Sequence, residues 1–218
     1  MKLSADDIAI RVAQDIAEGS YVNLGIGMPM LVGNHIPDGK EFILHTENGM
    51  LGMGPAMPEG KEDWDLINAG KQGVSILPGG SFFHHADSFA MIRGGHIDVT
   101  VLGALQVSKS GDLANWMIPS RGIGNVGGAM DLAVGAKKVI VAMEHNDKNG
   151  SSKIVNECSF PLTSKSCVSL IVTDIAVIQV VKSGLQLLEC APGWTKEDVQ
   201  NETEVELIFE KGIKEFTL

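Results

Sequence analysis

The stretch FILHTENGMLGMGP, residues 42–55, ends an apolar run on Glu47 and follows it with Asn48, Gly49 and a series of glycines and methionines. A carboxylate placed there can be a metal ligand, a general base or a nucleophile, while Asn-Gly beside it is an ordinary turn signal. On position alone a polar turn residue is the simpler reading. Two glycine clusters add chemistry. VNLGIGMP (22–29) and VGGAMDL (126–132) bring glycine to strand or helix edges, where free backbone N–H groups can meet an anion. NAGK, 68–71, sets Lys71 at the end of a short strand, where a solvated lysine is the ordinary case. Ser81 with His84 and His85 lacks the GxSxG context of a nucleophile elbow. Arg93-Gly94-Gly95-His96 fits a helix end with Arg93 near the negative pole, and Trp116 suits core or interface packing.

Composition removes several function classes. Acidic residues number 27 against 17 basic ones, with no basic run, so the footprint of a nucleic-acid binder is missing. Cys158, Cys167 and Cys190 match no zinc or redox spacing and read as reduced thiols. Neighbours such as His84 and His85 point apart on a strand or helix, so no metal is expected. The N-terminus mixes acids into its apolar pattern, unlike a secretory signal, and no segment nears the roughly 20 apolar residues that span a bilayer. These features predict a cytosolic protein with neither a membrane nor a nucleic acid as partner.

The elements that must position these residues follow from pattern. Ser4 with Asp7 forms a capping box for a first helix carrying Ile8, Val12 and Ile16, closed by Gly19. YVNLGIG reads as a strand, Pro29 starts a second helix, and FILHTE is the next strand, with the Gly-Met stretch after it a loop. DLINAG and VSILP read as short strands, HADSFAMIRGG as a helix and DVTVLGALQV as one long strand. DLANWMI is extended, GGAMDLAVGA is a helix and KKVIVAME a strand. SLIVTDIAVIQV, GLQLLEC and VELIF are strands around a short helix capped by Thr195 and Asp198. The alternation predicts a single α/β domain over residues 1–218. It would be an open mixed, mostly parallel sheet flanked by helices, with ligands expected beyond the carboxyl ends of the strands.

Taken in order, TENGMLGMGP, INAGK, SFAMIRGGHIDVTVLGALQVSKSGDLANWMIP and GGAMDLAVGAKKVIVAMEH resemble the β subunit of class I coenzyme A transferases, in the 3-oxoacid group that includes succinyl-CoA:3-ketoacid CoA-transferase. The resemblance runs from about Val22 to the helix near Thr195. It implies a fold shared with sugar-phosphate isomerases and a nucleophile at Glu47, screened from water by Met50, Leu51 and Met53. It further implies that the GGA segment falls on Gly127, Gly128 and Ala129, with the Gly128 N–H as oxyanion donor. Asn23 and Lys71 would bind or orient substrate and CoA. Coenzyme A would be a substrate, with no permanently bound cofactor. A separate α subunit would complete a heterotetramer or larger assembly, moving CoA between succinate, acetate or butyrate and acetoacetate. Two departures stand out: Thr46 replaces the usual serine, and PSRGIGNVGGAMDL replaces a loop of the PGK…KGMGG type. The alternatives are a relative of the same fold without transferase activity (a sugar-phosphate isomerase or ligand-binding protein) or an acyl-CoA hydrolase.

Overall fold

The computed structural model describes residues 2–37, 39–122 and 124–217. Helix α1 (Ala5–Gln14) begins at the expected capping box, with Ser4 Oγ accepting from the Asp7 N–H and the Asp7 carboxylate accepting from the Ser4 N–H. Strand β1 (Tyr21–Leu24) follows, then a 3-10 helix over Met28–Asn34 where the sequence predicts an α-helix. The segment is only two turns long and holds Val32 and Gly33, both weak α-formers, so the tighter turn suffices. Strands β2 (Ile43–Thr46), β3 (Met50–Ala56) and β4 (Val74–Phe82) lead into α2 (His85–Arg93).

Next come β5 (Val99–Leu102), β6 (Gln106–Ser108), β7 (Leu113–Ala114), a 3-10 turn at Pro119–Arg121, α3 (Ala129–Gly135) and β8 (Lys138–Ala142). Then follow β9 (Ile154–Val155), β10 (Leu170–Val172), β11 (Ala176–Val181), β12 (Gly184–Cys190), α4 (Lys196–Asn201) and β13 (Leu207–Glu215). Helix α4 again starts on its predicted box, Thr195 with Asp198.

Ten strands form one sheet in the order β13-β12-β11-β10-β8-β5-β1-β2-β3-β4, and β7-β6-β9 form a second small sheet. The centre, β10-β8-β5-β1-β2, is parallel throughout, as is β12 with β13, while the remaining neighbours are antiparallel. Both faces of the centre are buried. On β8, Val139 and Val141 join a core with Ile92, Leu132 and Ile171, whereas Ile140 and Ala142 join another with Ile8, Val12, Val22 and Leu44.

Three expectations change. The Gly-Met stretch after Glu47 is strand β3, because β2 and β4 pair with it on either side and supply the backbone partners that composition does not reveal. DVTVLGALQV is two strands in two sheets, since the chain turns at Gly103 and Ala104 while both strands stay buried and keep the apolar pattern unbroken. DLINAG is a turn with a single bridge from Ile67 to Gly73, held by Asn68, whose N–H donates to Gln72 O and whose Oδ1 accepts from the Gln72 N–H. No helix among the described residues is long and apolar enough to cross a membrane.

Candidate active site

Glu47 sits in the three-residue turn that joins β2 to β3, at the carboxyl end of a parallel strand. The turn is fixed from several directions. Gly49 donates its N–H to Thr46 O at 3.0 Å, and its carbonyl accepts from the Phe83 N–H at 3.0 Å. Its φ of 126° is open only to glycine, and an added Cβ would lie 2.2 Å from Phe83 O. The Thr46 hydroxyl donates to Asn48 Oδ1 and accepts from the Ala69 N–H at 2.9 Å, while Asn48 Nδ2 donates to Ile67 O at 2.8 Å. Thr46 thus supplies the hydroxyl that a serine would, and its departure from the family pattern leaves this anchor intact.

Asn23, on the neighbouring parallel strand and in register with His45, donates Nδ2 to Glu47 Oε2 at 3.1 Å. It is fully buried, so here it holds the carboxylate and does not face open space. Gly128, at the head of α3, approaches from the other direction: an added Cβ would lie 3.5 Å from Glu47 Cγ and 3.2 Å from the Phe89 ring. Only glycine keeps that approach free of crowding. The three backbone donors of the GGA segment differ. Gly127 N–H is taken by Asn125 Oδ1 at 3.0 Å and Ala129 N–H by Val126 O at 3.1 Å, whereas Gly128 N–H has no acceptor among the described residues.

Glu47, Gly127, Gly128 and Ala129 line one cavity of about 470 Å³, with Gly25, Ile26, Leu102, Gly103, Leu105, Asn125 and Leu132 among its other walls. Met50, Leu51 and Met53 do not line it. Met50 is buried opposite Thr46, and Met53 belongs to a different cavity, because strand pairing fixes where each side chain of β3 points. The apolar screen beside Glu47 comes from Ile26, Leu102, Leu105 and Leu132 instead.

Lys71 also stands apart. It is exposed at the rim of a second cavity of about 490 Å³ walled by Met30, Leu31, Met53, Asn68 and Gln72. Its φ of 64° is a left-handed conformation that costs a non-glycine residue about 1–2 kcal/mol. The same loop reaches the Glu47 turn through Ala69 and Ile67.

The other candidates settle into structural roles. His84 caps α2, its Nδ1 accepting from the Ala86 N–H at 3.1 Å, and His85 packs on Phe89. Arg93 ends α2 and pairs with Asp131 at 2.6 Å. Trp116 is half-buried, donating to Leu162 O at 3.3 Å. The three cysteines are unpaired, and burial pushes the Cys158 thiol up to about 11. Among the described residues no cluster of His, Cys, Asp and Glu is placed to hold a metal ion. In the altered loop ahead of Gly127, Ile123 lies outside the described residues.

Sequence reading misses His45 and Ser88. His45 lies on β2 with its ring buried between Asn23 and Ser88, and burial pushes its pKa down to about 4. A lone histidine in an apolar strand carries no local signal of this, since Ser88 is brought to it by the packing of α2.

Comparison with known proteins gives a consistent result. The family model for coenzyme A transferase matches residues 5–202. The chain is 57% identical over 208 residues to the B-type subunit of 3-oxoadipate CoA-transferase from Pseudomonas putida, covering 95% of this chain and 97% of that one. It is 53% identical over 196 residues to the B-type subunit of succinyl-CoA:3-ketoacid coenzyme A transferase from Helicobacter pylori, covering 90% and 94%. Among solved structures, an acyl-CoA transferase from E. coli O157:H7, in a thioester complex with CoA, shares the fold with a TM-score of 0.77 at 18% identity. All of this chain matches 43% of that longer one.

Proposed function

The chain belongs to the coenzyme A transferase family, and we propose that it is the B-type subunit of a transferase that moves CoA between succinate and a 3-oxoacid through a covalent glutamyl-CoA on Glu47. The observation that carries this reading is the meeting of three groups. A carboxylate in a fixed turn receives Asn23 Nδ2 at 3.1 Å, and it faces a glycine whose N–H is unspent, at the wall of a largely apolar cavity.

The chemistry balances without water or redox change. Glu47 attacks the thioester carbonyl of an acyl-CoA, the C–S bond breaks, and CoA thiolate leaves an acyl-glutamyl anhydride. The thiolate then attacks the glutamyl carbonyl and expels the first acid as its carboxylate. A second carboxylate attacks the resulting glutamyl-CoA, and the same two steps run in reverse to regenerate Glu47. Each addition creates a tetrahedral oxyanion, for which the Gly128 N–H is the donor on this chain. Ile26, Leu102, Leu105 and Leu132 keep water from the anhydride. Lys71 serves the CoA moiety from the adjoining cavity, and its costly backbone conformation supports a functional placement.

Among the described residues no Lys or Arg lines the Glu47 cavity, so a dicarboxylic substrate needs a cation from elsewhere. The relatives' designation as one of two subunit types supports an α subunit as the source, in a cytoplasmic heterotetramer or larger assembly. The second acid is acetoacetate or 3-oxoadipate, which differ by one carboxylate.

The test is direct. Incubating the chain with its α partner and acetoacetyl-CoA, without an acceptor acid, should add the mass of CoA to the peptide that holds Glu47. Glu47→Gln should remove the adduct. An unmodified Glu47 peptide under turnover conditions sinks the reading. Succinate-dependent turnover with acetoacetyl-CoA against 3-oxoadipyl-CoA then fixes the second acid.

A further inference from the structure

The amide that holds Glu47 is itself held. Asn23 Nδ2 lies within hydrogen-bond distance of three acceptors: Glu47 Oε2 at 3.1 Å, His45 O at 3.2 Å and His45 Nδ1 at 3.1 Å. Its other terminal atom, Oδ1, is buried and has no partner among the described residues. Leaving one buried acceptor unbonded costs about 1–3 kcal/mol. Turning the amide over would be worse, because a carbonyl oxygen would then face a carboxylate, a backbone carbonyl and a ring lone pair together. The amide therefore has one orientation.

Half of that constraint is the imidazole of His45. An amide NH₂ can only donate, so Nδ1 accepts and the ring proton sits on Nε2, which donates to Ser88 Oγ at 2.9 Å. The ring is 1% exposed and stacks on Phe83, with centroids 6.1 Å apart and planes 12° from parallel. Its neutral form persists through the physiological range, since burial holds the pKa near about 4. A second ring proton would turn the acceptor into a donor aimed at another donor.

We propose that His45 is a positioning residue for the nucleophile: anchored on Ser88 of α2, it fixes the Asn23 amide with its N–H groups turned to Glu47, and so keeps the carboxylate in one attacking geometry. This rests on the reading of Glu47 as the nucleophile. The chain Ser88–His45–Asn23–Glu47 joins α2, β2, β1 and the turn, and only its last member faces the cavity.

Two variants separate positioning from packing. His45→Phe keeps an aromatic ring against Phe83 but removes both ring nitrogens. His45→Gln restores an acceptor and a donor on one amide. In the enzyme assembled with its α partner, single-turnover formation of the Glu47–CoA adduct from acetoacetyl-CoA is followed by mass. His45→Phe should slow adduct formation and kcat by about tenfold or more, with KM for acetoacetyl-CoA within about twofold, because misplacement affects the reacting geometry and not uniform binding. His45→Gln should recover most of the loss.

Equal losses in both variants, or a change confined to KM, would overturn the assignment. Should His45→Phe fail to fold, Ser88→Ala removes only the outer anchor and should slow the adduct a few-fold at unchanged KM; a wild-type rate there overturns the assignment as well. Normal adduct formation in wild type alongside unaffected variants rejects His45 alone. Absence of any adduct in wild type rejects the Glu47 reading and this inference together.

Discussion

Gly49→Ala tests whether the turn truly fixes the nucleophile. Two costs combine at this position. The first is conformational: φ is 126°, a region that side-chain-bearing residues rarely enter, worth about 1–2 kcal/mol. The second is steric. A Cβ there would stand 2.2 Å from Phe83 O, whose own N–H is bonded to Gly49 O, so backbone on both sides must shift. Overpacking of this kind costs about 1–3 kcal/mol more.

Gly60 isolates the first term. It has φ 79° with nothing within 4 Å of an added Cβ, so Gly60→Ala should lose only the conformational part. In urea or thermal unfolding Gly49→Ala should therefore fall below Gly60→Ala by at least about 1 kcal/mol, roughly 2–4 °C in a chain of this size. The more telling readout is kinetic. A displacement of about 1 Å at Glu47 should slow adduct formation by up to about a hundredfold, while Gly60→Ala stays near wild type. If the two variants were equally stable, or if Gly49→Ala formed the adduct at the wild-type rate, the turn would not be what holds Glu47.

Two other outcomes follow from the same geometry. Asn23→Asp would set a second carboxylate about 3 Å from Glu47 Oε2, in place of a donor, and repulsion of order 4 kcal/mol at a surface-like dielectric should slow adduct formation about tenfold or more; a rate within twofold of wild type contradicts the contact. The second outcome concerns pH. His45 and His145 are both pushed by burial from the ordinary 6.5 to about 4, and His145 is bonded to Thr173 and Thr203. Between these values the unfolded chain binds more protons than the folded one, so stability is level above about pH 6.5 and falls as pH drops toward 4, by roughly 3 kcal/mol per histidine at most. Urea midpoints measured from about pH 7.5 to 4.5 should show this fall, and His145→Gln should flatten it by about half; a midpoint unchanged with pH refutes the linkage.

How much of this is readable in the residues depends on how local the cause is. Both capping boxes lie within four consecutive residues and are legible at once. Glu47 and the GGA segment are legible through long motifs in family order, and Asn23 through the NLGIG segment. What the residues hide is pairing. Nothing in GMLGMG distinguishes a loop from a strand until β4 lies alongside it, and a glycine corner at residue 103 leaves no trace in a pattern that is buried on both sides of the turn. His45 is invisible for the same reason: its meaning lies in Ser88, which is 43 residues away. Lys71 can be noticed in the sequence but not located there, because its cavity is set by a turn where the pattern predicts a strand.

Glu47 and Gly128 come from segments far apart in the chain, yet both are referred to one helix. Ser88 of α2 reaches the nucleophile through His45 and Asn23, and Phe83 just ahead of α2 grips Gly49. Phe89 of the same helix sits against Gly128, and Arg93 at its end is tied to Asp131 of α3. Helix α2 thus works as a common datum. When it drifts, attacking oxygen and waiting N–H travel together, and the gap between them is insulated from motion that displaces either one relative to the rest of the sheet.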